Sequence, residues 1–124
     1  MARFVILEHD HPYLHWDLML QGAEALRTWR LSAPPRPRLP VAAEALGDHR
    51  LAYLDYEGPV KPDRGHVHRW DRGTLLWQTD EPRRVVVHLD GQRCRGTAEL
   101  VHVDGNEWRL TLAATDEVTS PGTG

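Results

Sequence analysis

Residues 9 to 20 read His9-Asp-His-Pro-Tyr-Leu-His15-Trp-Asp17-Leu-Met-Leu20, and His9, His15 and Asp17 are of the types that bind a divalent metal. Alternate residues of a β-strand share a face. A strand over Tyr13 to Leu20 therefore puts His15, Asp17 and Met19 on one side and Leu14, Trp16, Leu18 and Leu20 on the other. His9 lies just beyond the apolar run Phe4 to Leu7 and closes the set if the two strands pair. Two neutral imidazoles and a carboxylate, with open positions for water and substrate, suit a catalytic metal. The same spacing is equally that of a solvated strand face preceded by a polar turn, and spacing alone does not separate the two.

Such a set needs strands to hold it, and most of the chain has strand character. The candidates are Phe4 to Glu8, Tyr13 to Leu20, Ala25 to Leu31, Leu51 to Tyr56, His66 to Trp70, Thr74 to Gln78, Arg84 to Leu89, Thr97 to Val103 and Glu107 to Leu112. Asp90-Gly91 and Asp104-Gly105 tolerate the positive φ of tight hairpins. Many short strands at close spacing predict a barrel or a sandwich. Ser32 to Pro40 carries four prolines and two arginines and reads as an extended surface loop. Val41 to Leu46 reads as a short helix. The polar stretch 115–124 reads as a frayed tail behind one domain, residues 1–114.

Composition narrows the class. A chain of 124 residues can bury a modest core. A single cysteine, Cys94, excludes an intramolecular disulfide framework and a cysteine-rich zinc site. The short apolar run near Met1 does not resemble a signal peptide, and no segment has the length of a membrane span, so the expectation is a cytoplasmic protein with no membrane partner. A formal net charge of -3 argues against coating nucleic acid through bulk charge. The many arginines still allow a local basic patch, although a solvated mixed-charge surface accounts for most of them.

Glu8-His9-Asp10 followed by Leu14-His15-Trp16-Asp17 resembles the His-Asp…Leu-His-Tyr-Asp signature of the 3′-phosphoesterase domain of bacterial DNA ligase D and its free-standing relatives. Gly47-Asp48-His49-Arg50-Leu51-Ala52-Tyr53 with Tyr56-Glu57-Gly58 is similar to that family's Asp-His-Pro-Leu-x-Tyr…Phe-Glu-Gly block. Trp70-Asp71-Arg72-Gly73-Thr74 resembles its Trp-Asp-x-Gly-Thr strand end, and Gly96 to Val101 with Trp108-Arg109-Leu110 its closing hairpin. The resemblance runs from about Phe4 to Leu112 and implies an all-β fold, mainly an antiparallel β-barrel with one or two short helices. It places His9, His15 and Asp17 on manganese ligands, with zinc or cobalt as alternative ions. It places His49 and Tyr53 on residues that contact the reacting phosphate. His49 would donate a proton to a phosphate oxygen or the leaving group, and Tyr53 would orient the phosphate. The implied activity is metal-assisted hydrolysis of a 3′-terminal phosphate or ribonucleotide on nucleic acid in DNA end repair. A separate ligase or polymerase is an implied partner, because polymerase and ligase segments and the flexible N-terminal arm of ligase-linked versions are not read in this sequence.

The departures are specific. Met19 stands where the family has a phosphate-gripping arginine, Ala33 where it has a lysine, and Arg50 where it has a proline. A thioether cannot replace a bidentate cation. Arg64 and His66 are the candidates to restore phosphate binding, if the strand face shared by His66 and His68 lines the barrel mouth; otherwise they are exposed edge positions. His11 reads as a loop residue, His88 and His102 as surface or satisfied histidines, and the five tryptophans mostly as core. Two other functions compete: a non-catalytic module that binds nucleic-acid ends or a repair partner, and a metal-dependent hydrolase of small phosphate esters.

Overall fold

Strand alternation decides which side of the sheet becomes core. In the computed structural model, which describes residues 1–115, nine strands form: β1 (Arg3–His9), β2 (His15–Gln21), β3 (Leu26–Leu31), β4 (Val41–His49), β5 (Gly58–Pro59), β6 (His66–Glu81), β7 (Arg84–Gly91), β8 (Arg95–Asp104) and β9 (Glu107–Ala114). A 3₁₀ turn, Leu51–Leu54, follows β4. The sheet runs β1-β2-β3-β4-β9-β8-β7-β6, and β6 pairs back onto β1. Eight antiparallel strands thus close a barrel, with the two-residue β5 added along β6. A ring of this size is filled by its own side chains. Phe4, Ile6, Leu18, Leu20, Trp29, Leu31, Leu75, Val87, Leu100 and Leu110 occupy the interior with Trp108. Trp16, Trp70 and Trp77 pack partly buried against them, so the tryptophans are core.

A second apolar cluster lies on the outer wall. Val5, Leu7, Met19, Leu26 and Val67 face outward there and are covered by Leu54 of the 3₁₀ turn, with Tyr53 and Val60 at the margin. β1 is therefore buried on both faces. This explains why Phe4 to Leu7 is an unbroken apolar run rather than an alternating one.

β6 is long enough to serve two neighbours. Its first half pairs with β1 and its second with β7. At the crossing, the buried Asp71 carboxylate accepts backbone N–H bonds from Arg72, Gln92 and Arg93 on Oδ1, and from Cys94 on Oδ2. A buried carboxylate is tolerable only when its oxygens are occupied in this way. Gly91 allows the close approach, since a Cβ there would stand 2.5 Å from Asp71 Oδ2. Burial, reinforced by the Asp71 carboxylate, pushes the Cys94 thiol up to about 12.

Three sequence expectations are corrected. Val41 to Leu46 is part of strand β4, not a helix: Val41 and Ala43 are buried while Ala42 and Glu44 are exposed, a period of two set by pairing with β3 and β9. Leu51 to Tyr56 is not a strand; its first four residues form the 3₁₀ turn that buries Leu54. His66–Trp70 and Thr74–Gln78 are one continuous strand. Beyond Thr115, the stretch read as a frayed tail lies outside the described residues. Among the described residues no helix is long and apolar enough to cross a membrane.

Candidate functional site

The site is assembled by register. β1 pairs antiparallel with β2 so that His9 stands directly opposite His15, both on the outer wall, and Asp17 follows two residues along on the same face. His15 is 0% exposed and Asp17 4%, which excludes an ordinary solvated strand face. The ligand atoms of His9, His15 and Asp17 lie within 4.8 Å of one another. Asp17 Oδ2 is 3.2 Å from His15 Nε2 and 3.5 Å from His9 Nδ1.

The outer hydrogen bonds fix what each ring presents. His15 Nδ1 is 2.8 Å from the Tyr13 carbonyl oxygen, and His9 Nε2 is 2.7 Å from that of Arg64. A carbonyl only accepts, so each of these nitrogens carries the proton and donates it. His15 Nε2 and His9 Nδ1 are left facing the Asp17 carboxylate, and His15 Nε2 lies within hydrogen-bond distance of Asp17 Oδ2. Asp17 Oδ1 is buried without a hydrogen-bond partner. His9 Nδ1, His15 Nε2 and the Asp17 carboxylate thus converge, with a His15–Asp17 hydrogen bond among them. That is the arrangement a divalent cation satisfies, and these three residues could hold one.

Gly65 helps to place the loop that supplies the Arg64 carbonyl. It adopts φ +74°, and a Cβ there would stand 2.0 Å from Asp10 Oδ1, so a side chain is excluded on both counts. Asp10 accepts the backbone N–H of His66 at 2.7 Å, which holds its carboxyl below the usual carboxylate range.

Beside His9 and Asp17 is a concavity of about 330 Å³, lined by these two with His49, Tyr53, Arg30 and Arg64 among others, while the fully buried His15 does not reach its surface. His49, at the end of β4, donates through Nδ1 to the Gly47 carbonyl at 3.0 Å, and its ring meets that of Tyr53 edge-on at 5.8 Å between centroids. The structure thus brings His9, His15, Asp17, His49, Tyr53 and Arg64 together. His66 is not brought in: the residue of β6 that faces the concavity is Val67, and His66 is exposed, with Nδ1 3.9 Å from Asp10 Oδ2. His11 lines the rim without belonging to the ligand group. His102 is satisfied by the Gly105 carbonyl at 2.9 Å.

Sequence reasoning missed Arg30 as a site residue. Its signal is the cross-strand pairing of Asp17 with Arg30, which becomes visible only once β2 and β3 are aligned. The two backbone carbonyls that orient the histidines carry no side-chain signature at all.

Fold and site together define a small antiparallel β-barrel protein whose candidate chemistry sits on the outer wall, not in the lumen. Residues 7–102 match the family described as the DNA Ligase D 3′-phosphoesterase domain, and the chain belongs to that family. It is 30% identical over 137 residues to the multifunctional non-homologous end joining protein LigD of Pseudomonas aeruginosa, an alignment covering 97% of this chain and 16% of that relative. It is 31% identical over 114 residues to the LigD proteins of Mycobacterium bovis and Mycobacterium tuberculosis, covering 85% of this chain and 15% of each. The chain therefore spans about one sixth of the length of these relatives.

Proposed function

We propose that this chain is a divalent-metal-dependent 3′-phosphoesterase, using manganese, that processes 3′-terminal phosphate or ribonucleotide ends of nucleic acid in DNA end repair. The observation that carries the proposal is the convergence of His9 Nδ1, His15 Nε2 and the Asp17 carboxylate, with both outer ring nitrogens already committed to carbonyls. A bound divalent ion would act as a Lewis acid on a phosphate oxygen and lower the charge that builds on phosphorus. His49, tethered through Nδ1, lines the concavity and, when Nε2 is protonated, would donate to a phosphate oxygen or to the leaving oxygen. Tyr53, held against the His49 ring, donates its hydroxyl proton to the phosphate and sets its orientation. Membership of the end-joining family supports nucleic-acid ends as substrate and a separate ligase or polymerase as the enzyme that follows.

The test is incubation of metal-stripped protein, with and without manganese, with end-labelled DNA strands carrying a 3′-phosphate or a single 3′-ribonucleotide, beside His15→Ala. Product that requires both the ion and His15 is expected. Turnover that survives in the His15→Ala, Asp17→Ala double variant would overturn the site. No product despite stoichiometric manganese would instead favour an end-binding module.

A further inference from the structure

The concavity must hold an anion beside a carboxylate, and Met19, the outward neighbour of Asp17 on β2, offers no charge. Among the lining residues the permanent cations are Arg30 and Arg64. Arg30 stands on β3 as the direct cross-strand partner of Asp17, so the two side chains leave the sheet on the same face with their Cβ atoms about 5 Å apart. Its side chain is 25% exposed, and its nearest acid, Glu44, lies at the limit of an ion pair, 4.0 Å from Nη1. Nε is buried without a hydrogen-bond partner, and the guanidinium rests 5.7 Å from the Tyr13 ring centroid; Tyr13 and Glu44 line a second concavity that Arg30 shares, so Arg30 borders both. A planar fork, held on a rigid strand with its donors little used, is suited to bidentate recognition of phosphate oxygens. Arg64 differs: it lies on the 60–65 loop, and what is fixed there is its carbonyl, engaged by His9.

We propose that Arg30 is the phosphate clamp of this protein, supplying from β3 the bidentate cation that Met19 cannot supply from β2. This rests on the concavity being a phosphoester site. The clamp contributes affinity for a 3′-terminal phosphate group and little for the rest of the strand.

The test measures binding, so that it does not depend on turnover. The probes are a fluorescent oligodeoxynucleotide ending in a 3′-methylenephosphonate, which is not hydrolysed at that link, and the same strand ending in a 3′-hydroxyl. Both are titrated by anisotropy with manganese and with chelator. Wild type is expected to prefer the phosphonate end by about tenfold or more, the scale of one bidentate charge-assisted pair. Arg30→Gln is expected to bring the two ends within about twofold, and Arg30→Lys to fall between, with the hydroxyl-ended strand bound as by wild type throughout. Preference retained in Arg30→Gln, or absent from wild type, overturns the clamp. Arg30→Lys keeps charge and stem, so full wild-type preference there removes the bidentate element even if the glutamine variant does not fold. An Arg30-dependent preference in a protein that never turns over 3′-phosphate leaves the clamp standing and sinks only the esterase.

Discussion

Replacing Asp17 by asparagine should change the sign of its effect on stability with the metal. In chelator, with His15 Nδ1 and His9 Nε2 engaged by carbonyls, a proton-free inner face would leave the Asp17 carboxylate against two ring lone pairs, with Oδ1 unpartnered. An asparagine amide nitrogen at the Oδ2 position has two hydrogens and lies within reach of both acceptors, His15 Nε2 at 3.2 Å and His9 Nδ1 at 3.5 Å. Two neutral hydrogen bonds at about 1 kcal/mol each stabilise the variant by about 2 kcal/mol, or roughly 5–10 °C in Tm for a domain of this size. With manganese at about one hundred times its Kd, wild type gains about 2.7 kcal/mol, while the variant has lost the anionic ligand and gains little. Thermal melts of both proteins in chelator and in manganese should therefore cross: the variant melts higher without the ion and lower with it. A variant that melts lower in chelator as well would refute the reasoning. It would mean that the carboxylate is held by a protonated histidine, and that the three groups form an ion-paired cluster rather than a set of lone-pair donors.

Asp71→Ala strips the acceptor from the backbone N–H groups of Arg72, Gln92, Arg93 and Cys94, and should lower stability by about 3–5 kcal/mol in urea titration while leaving manganese affinity unchanged. The Cys94 thiol, raised from 9.0 to about 12, gives a signed pH dependence. Below pH 9 both folded and unfolded chains keep the proton; above it the unfolded chain ionises first, so stability should fall by up to about 1.4 kcal/mol per pH unit, a slope that Cys94→Ala should remove in alkaline denaturant melts. His49→Ala should lower kcat by about 10²–10⁴-fold, in the range of a lost general acid, without weakening manganese binding measured by calorimetry. Tyr53→Phe removes one hydrogen bond and should lower kcat/KM about tenfold at unchanged fold, checked by circular dichroism.

Much of the barrel was legible because its signals are local. Alternation along Tyr13 to Leu20 assigns His15 and Asp17 to one face, and Asp104-Gly105 marks a hairpin with Gly105 at φ 52°, whereas Asp90-Gly91 belongs to the β7 ladder and the turn there falls on Gln92 and Arg93. Both are properties of a few consecutive residues. β4 was not legible because alanine, glutamate and leucine favour a helix in isolation, and only two flanking strands pull Val41–His49 into the sheet. Leu51–Leu54 is a short apolar run of strand length, yet its outcome is set by the outer-wall cluster that needs Leu54 as a lid. His9, His15 and Asp17 could be gathered from sequence because one hairpin joins them. Arg30 could not, since its place beside Asp17 depends on the β2–β3 register.

β2 works on both of its sides at once: Leu18 and Leu20 belong to the lumen, while His15, Asp17 and Met19 belong to the wall. The alternation separates two kinds of constraint on a single segment seven residues long. Leu18 and Leu20 answer to packing in the lumen; between them and beside them, His15 and Asp17 answer to ligand chemistry and Met19 to the outer apolar cluster. The ligand set at the His9, His15 and Asp17 positions can therefore change without disturbing the lumen, which makes the barrel a chassis whose reactivity can drift faster than its architecture.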